Sequence, residues 1–142
     1  MLKGIPKILS PELLKVLAEM GHSDRLVISD GNFPAESMGK DAIVIRCDGH
    51  GVPEILDAIL QVFPLDSYVE HPVNLMEVMP GDTVETPIWD TYKAVSYTHL
   101  ALQKIISLSL QVLLLSSQYS VTYLQDAERT NFSSIIRDQL YE

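Results

Sequence analysis

A short apolar run at residues 26–28 constrains the fold of this chain more than any other sequence feature. The run is too short for a helix and has turn residues on both sides, so it predicts a buried strand over Leu26–Ser29. The preceding residues predict a helix that begins at Ser10 and Pro11 and ends at Gly21, because these residue types favour those positions. A helix that leads directly into a buried strand is typical of an α/β fold.

The rest of the chain predicts further strands and helices. Strands are expected over Ala42–Arg46 and Leu75–Met79, with a helix from Val52 to Phe63 between them. Thr86–Tyr92 fits either the start of a helix or a covering loop. Leu100–Leu115 is apolar almost all round and predicts a buried helix, while a membrane span is a weaker alternative because Ser, Gln and Lys residues interrupt the run.

Two polar side chains flank the first predicted strand and form the candidate site. His22 precedes the strand and Asp30 follows it. An imidazole and a carboxylate facing one cleft suit a polyol ligand and proton transfer near neutral pH. The alternative is that His22 is a helix-capping or surface residue and that Asp30 with Gly31 only forms a turn.

Charge and cysteine content exclude several classes of function. The formal net charge of -9 over 142 residues argues against binding to nucleic acid or to an anionic membrane. Cys47 is the only cysteine, so no internal disulfide is possible, and the N-terminus has no signal-peptide pattern. Both features favour a cytoplasmic location. The four histidines have no metal-ligand spacing.

The first 93 residues resemble the RbsD/FucU family of sugar mutarotases, and within it the fucose branch. The resemblance rests on the following runs: SPELLKVLAEMGH (10–22), LVISDGNFPAESMG (26–39), IRCDGHGVPEILDAIL (45–60), PLDSYV (64–69), LMEVMPGD (75–82) and TPIWDTY (86–92). It implies an α/β fold with a mixed sheet flanked by helices. It also implies a homo-oligomer, commonly a decamer-like ring, with the sugar site at a subunit interface.

The resemblance assigns roles to four residues. It makes His22 the catalytic acid/base and gives Asp30, Asp66 and Met76, the last through its backbone, to the sugar pocket. The implied reaction exchanges the α and β anomers of L-fucose by ring opening and closure. One group protonates the ring oxygen while another takes the proton of the anomeric hydroxyl, and neither a cofactor nor a metal is needed.

The resemblance stops near Lys93, where the composition also changes. Between Ala94 and Gln125 the only charged residue is Lys104, and the family runs RFAFYERAKKA and YGN, which contribute to the sugar site, are absent. We therefore interpret residues 1–142 as one domain with a divergent segment over 94–142, and a chimeric or frame-shifted origin is the hypothesis for that segment. Loss of the family's last strands would leave an unpaired sheet edge.

Two other functions are compatible with these residues. One is a catalytically impaired sugar-binding protein that lacks the C-terminal half of the site. The other is pyranose–furanose exchange of D-ribose, the reaction of the ribose branch of the family.

Overall fold

The structure is a computed structural model of the chain. It describes residues 2–21, 24–66, 68, 71–76, 78–102, 111–114 and 120–125, and at 101–102, 111–114 and 120–125 it describes the backbone. The helices are α1 (Pro11–Glu19), α2 (Ala35–Met38), α3 (Val52–Val62) and α4 (Ile88–Leu102). The strands are β1 (Arg25–Ser29), β2 (Ile43–Cys47), β3 (Val73–Leu75), β4 (Gln111–Leu114) and β5 (Ser120–Gln125).

The described strands form one mixed sheet in the order β2-β5-β1-β4-β3. Strand β4 pairs in parallel with β1 and β3, and β5 pairs antiparallel with β1 and β2. Strands β1 to β4 therefore run in one direction, and their carboxyl ends lie along one edge of the sheet, called here the carboxyl edge. The expected α/β fold with a mixed sheet and helices is confirmed.

The strands from the divergent segment lie on both sides of β1. Arg25 pairs with Gln111 of β4 and with Gln125 of β5, so β1 is an interior strand. The divergent segment therefore supplies a pairing partner on each side of β1. The helix predicted over Leu100–Leu115 is not observed at residues 111–114, which form β4. The prediction was wrong there because an apolar run suits an interior strand as well as a buried helix. Residues 103–110 lie outside the described residues, and no described helix is long and apolar enough to cross a membrane.

The third strand begins and ends earlier than predicted. It covers Val73–Leu75 instead of Leu75–Met79. Its partner β4 sets these limits, because Val73 pairs with Val112 and Leu75 pairs with Leu114 at the end of that short strand. The pairing partner, which the local pattern does not show, decided the boundary.

The first two long helices follow the sequence prediction closely. Ser10 caps α1, its hydroxyl accepting a hydrogen bond from the Leu13 N–H at 3.1 Å, and Pro11 stands at the first helical position. The helix ends at Glu19, just before the predicted Gly21. Helix α3 ends at Val62, one residue before the predicted Phe63. Helix α2 was not predicted, because its four residues are too few for a periodic pattern.

The main core lies between the sheet and the long helices. Alternate residues of β1 point to opposite faces, so Leu26 and Ile28 join the main core while Val27 packs on the other face. The buried residues of α1 and α3 share the main core with these two strand residues. Tyr92 of α4 belongs to it as well. The face that carries Leu26 and Ile28 is therefore the helix-bearing face of the sheet.

A polar contact joins α3 and α4, two of the helices that lie on this face. The Asp57 carboxylate of α3 is 2.9 Å from His99 Nε2 of α4, and the second oxygen of Asp57 accepts a hydrogen bond from Gln61 at 2.7 Å. The hydrogen bond with His99 is the main cause that lowers the pKa of Asp57 in the folded chain. A carboxyl group whose folded pKa is lowered stabilises the fold above its unfolded pKa, and this stabilisation is lost as the pH falls through the folded pKa.

Asp57→Asn is expected to make the acid limb of the stability curve less steep. Between pH 5 and pH 3 the free energy of unfolding should fall further in the parent chain than in the variant. The difference should be about 0.5–1 kcal/mol, because half of the Asp57 side chain is exposed and solvent screens the pair. Urea unfolding at several pH values measures it. Asp82→Asn, at an exposed aspartate in a turn, is the control, and an equal change in that variant would contradict the role of the Asp57–His99 pair.

Candidate functional site

The carboxyl ends of the strands that run in the same direction lie along the carboxyl edge of the sheet. Asp30 follows β1, Asp48 follows β2 and Met76 follows β3. Helix α3 starts at this edge after Gly51, and α4 must start near it as well, since it connects β3 to the parallel β4. In open α/β sheets, ligands bind outside the carboxyl ends of the strands. This edge is therefore the candidate site.

Asp30 is the most buried carboxylate at this edge. Its side chain is 8% exposed, and its Oδ1 accepts hydrogen bonds from the backbone N–H groups of Asn32 and Phe33, both at 3.0 Å. The turn that was the alternative interpretation of Asp30 is therefore present. It also fixes the plane of the carboxylate, so an acceptor for a hydroxyl ligand is held at the end of β1.

Tyr92 is a residue near Asp30 that the sequence analysis did not assign to the site. Its side chain is almost fully buried, at 1% exposure. Burial of the phenol raises its pKa to about 12, and the negative charge of Asp30 contributes to the increase. The spacing of Ile88, Tyr92 and Val95 is that of a buried helical face and could have indicated this position.

Two exposed pairs of polar side chains also lie at this edge. Arg46 donates two hydrogen bonds to the Asp48 carboxylate, at 3.0 and 2.8 Å, and this guanidinium lowers the pKa of Asp48. One turn into α3, Glu54 lies 3.7 Å from His50 Nδ1. Because both pairs are exposed, we interpret them as solvated ion pairs beside the site.

Asp66, predicted to contact the sugar, lies on another part of the chain. Its side chain is 4% exposed, and its Oδ1 accepts a hydrogen bond from the Tyr68 N–H at 2.8 Å. It follows α3, which starts at the carboxyl edge and buries residues along its whole length on the sheet. The connectivity therefore places Asp66 beyond the end of α3 that is far from Asp30.

Met76 and His22 complete the set of predicted site residues. Met76 lies at the carboxyl edge, and its partly buried side chain packs against Val27 on the face opposite the main core. His22 lies outside the described residues. Its described neighbours are Gly21 and Asp24, at the amino end of β1, where the Gly21 N–H donates a hydrogen bond to Asp24 Oδ2 at 2.6 Å.

A cluster of metal-binding side chains is not found in the part of the chain that the structure describes. Within that part, no group of three or more His, Cys, Asp or Glu side chains is arranged to hold a metal ion. The described geometry at Asp30 is that of a buried carboxylate oriented by two backbone N–H groups.

Comparison with known proteins gives relatives in sequence and in structure. Human fucose mutarotase is 48% identical over 98 residues, which are 66% of this chain and 64% of the human protein. The chain thus spans less than two thirds of the length of that relative. FucU from Bifidobacterium longum is 48% identical, with a TM-score of 0.68 over 88% of this chain and 98% of the other. A fucose mutarotase from Streptococcus pneumoniae, solved in complex with L-fucose, is 36% identical, with a TM-score of 0.63 over 91% of this chain and 100% of the other.

The family assignment covers almost the whole sequence. The profile of the RbsD / FucU transport protein family matches residues 3–138 and so extends past Lys93, where the motif resemblance ends. The two solved structures also superpose on most of the chain. By sequence and by fold, this chain belongs to the RbsD / FucU transport protein family.

Proposed function

We propose that this chain exchanges the α and β anomers of L-fucose at a site that contains Asp30. The observation that carries the proposal is the fixed, buried Asp30 carboxylate at the carboxyl edge of the sheet, in a chain about half identical to fucose mutarotases. The structure of the S. pneumoniae relative with L-fucose supports a monosaccharide as the ligand.

The reaction needs one proton donor and one proton acceptor. The donor protonates the ring oxygen while the acceptor takes the proton of the anomeric hydroxyl; the bond between C1 and the ring oxygen breaks, C1 rotates and the ring closes on the other face. We assign acid/base catalysis to His22, because an imidazole exchanges protons near neutral pH. Asp30 and the Met76 backbone hold sugar hydroxyls at the carboxyl edge, and Asp66, which lies beyond the far end of α3, reaches the same pocket from a neighbouring copy of the chain.

The positions of these residues favour a site shared between copies of the chain. Asp30 lies at the carboxyl end of β1, while the residues that flank His22, Gly21 and Asp24, lie at its amino end. The five residues of β1 span about 16 Å at about 3.3 Å per residue, which is longer than a monosaccharide. A homo-oligomer in which the two ends of β1 from neighbouring copies meet would join both groups around one sugar.

Mixed oligomers test this arrangement. His22→Ala and Asp30→Asn should each be nearly inactive alone, and subunits mixed in equal amounts, unfolded and refolded together should recover activity. Random assembly places an intact Asp30 opposite an intact His22 in about a quarter of the sites, so about a quarter of the parent rate is expected. A mixture no more active than its components would contradict the shared site.

Polarimetry tests the proposed reaction and its sugar. Freshly dissolved α-L-fucose should reach its equilibrium optical rotation faster in the presence of the protein, and D-ribose should respond less. A faster response with D-ribose would favour pyranose–furanose exchange. Binding of L-fucose without acceleration would favour the sugar-binding protein that lacks part of the catalytic site.

The proposal includes the organisation and location of the chain. We treat residues 1–142 as one domain, and the position of β4 and β5 beside β1 supports this interpretation. A cytoplasmic location is supported by the cysteine content, since Cys47 is the only cysteine of the sequence and no internal disulfide can form. Neither nucleic acid nor membrane is a proposed partner, given the net charge of -9.

A further inference from the structure

The Tyr92 hydroxyl is buried and has no hydrogen-bond partner among the described residues. The side chain is 1% exposed, and neither a donor nor an acceptor among the described residues contacts its oxygen. Folded proteins rarely leave buried hydroxyl groups without a hydrogen bond, because the free energy lost on removing them from water is then not offset. A donor held in the core with no partner among the described residues is therefore available to a group that approaches it when a ligand binds.

The sheet geometry places this hydroxyl on the same side as Asp30. Leu26 and Ile28 of β1 face the main core that contains Tyr92, and Asp30 continues this alternating row just past the end of the strand. Tyr92 lies in the second turn of α4, and α4 starts near the carboxyl edge. The effect of the Asp30 charge on the phenol agrees with this placement.

We propose that Tyr92 is a positioning residue of the sugar site, whose hydroxyl donates a hydrogen bond to the Asp30 carboxylate when a sugar is bound. This inference rests on the proposed function of Asp30. The Asn32 and Phe33 N–H groups hold one oxygen of the carboxylate from the loop side. A phenol donor from the core side would fix the direction of the Asp30 carboxylate further. The fixed carboxylate would then favour one orientation of the bound sugar. Hydrogen bonds at such sites often shorten only in the complex.

Tyr92→Phe separates this role from simple packing. Phenylalanine fills the same core volume and removes only the buried hydroxyl, so the thermal stability should be kept. The KM for L-fucose should rise about tenfold with little change in kcat, as expected when a bond to a charged binding group is lost. Tyr97→Phe, on the exposed side of the same helix, is the control and should change neither constant. An unchanged KM in Tyr92→Phe would overturn the proposal.

Fluorine NMR tests the contact without relying on activity. The protein is labelled with 3-fluorotyrosine, and the Tyr92 signal is identified by its absence in Tyr92→Phe. At neutral pH saturating L-fucose should shift the Tyr92 signal of the parent chain, while the Tyr97 signal stays in place. If L-fucose binds and the Tyr92 signal does not move, or if it moves equally in Asp30→Asn, the contact is overturned. If L-fucose neither binds to the parent chain nor reacts, the proposed function fails and the sugar-positioning role of Tyr92 fails with it.

Discussion

His22→Ala is expected to lower the rate of anomer exchange by about 10² to 10⁴ fold, the usual contribution of a general acid–base group. An alanine has no titratable group to carry a proton to the ring oxygen, so ring opening would depend on water. The thermal stability should persist, since the change removes a single side chain. Exchange rates at equal protein concentration measure the effect.

His50→Ala is the matched control for the histidine variant. His50 is a half-exposed histidine that pairs with Glu54 on the surface, and its loss should leave the rate unchanged. Full activity in His22→Ala would reject His22 as the catalyst. Equal losses in both variants would show that the effect is not specific to the catalytic position.

Leu56→Ala is expected to cost about 2–5 kcal/mol of unfolding free energy, because it leaves a cavity in a packed core. Leu56 is fully buried in α3 and belongs to the main core between the helices and the sheet. Urea unfolding at fixed protein concentration measures the change, since association also affects stability. Leu2→Ala, at a leucine 75% exposed, should cost little. A cost below 1 kcal/mol for Leu56→Ala would contradict the described packing of α3.

The parts of the fold that were predicted correctly have strong local signals. Ser10 and Pro11 mark the start of α1 through capping chemistry that acts within one turn, and β1 is a short apolar run between turn residues. The missed parts depend on partners that are distant in sequence. The mostly apolar residues 111–114 suit a helix or a strand equally, and pairing with β1 and β3 made them a strand.

The sequence indicated those parts of the candidate site that depend on the type and position of a single residue. Asp30 was predicted as a candidate from its position after the first strand, and the structure adds the two backbone N–H groups that orient it. The relation of Tyr92 to Asp30 could not be predicted, because it depends on how α4 packs on the sheet. The proposal of a site shared between copies could not be predicted either, because it depends on the distance between the two ends of β1.

The most direct test of the central claim is saturation-transfer NMR on L-fucose with the parent chain and with Asp30→Asn. The asparagine oxygen can still accept the Asn32 and Phe33 N–H groups, so the variant should keep the loop and lose only the charge. Saturating one anomeric proton signal should reduce the other strongly with the parent chain and only weakly with the variant. Equal transfer by the two proteins, or none beyond the protein-free rate with the folded parent chain, would contradict the claim that this chain exchanges fucose anomers at Asp30.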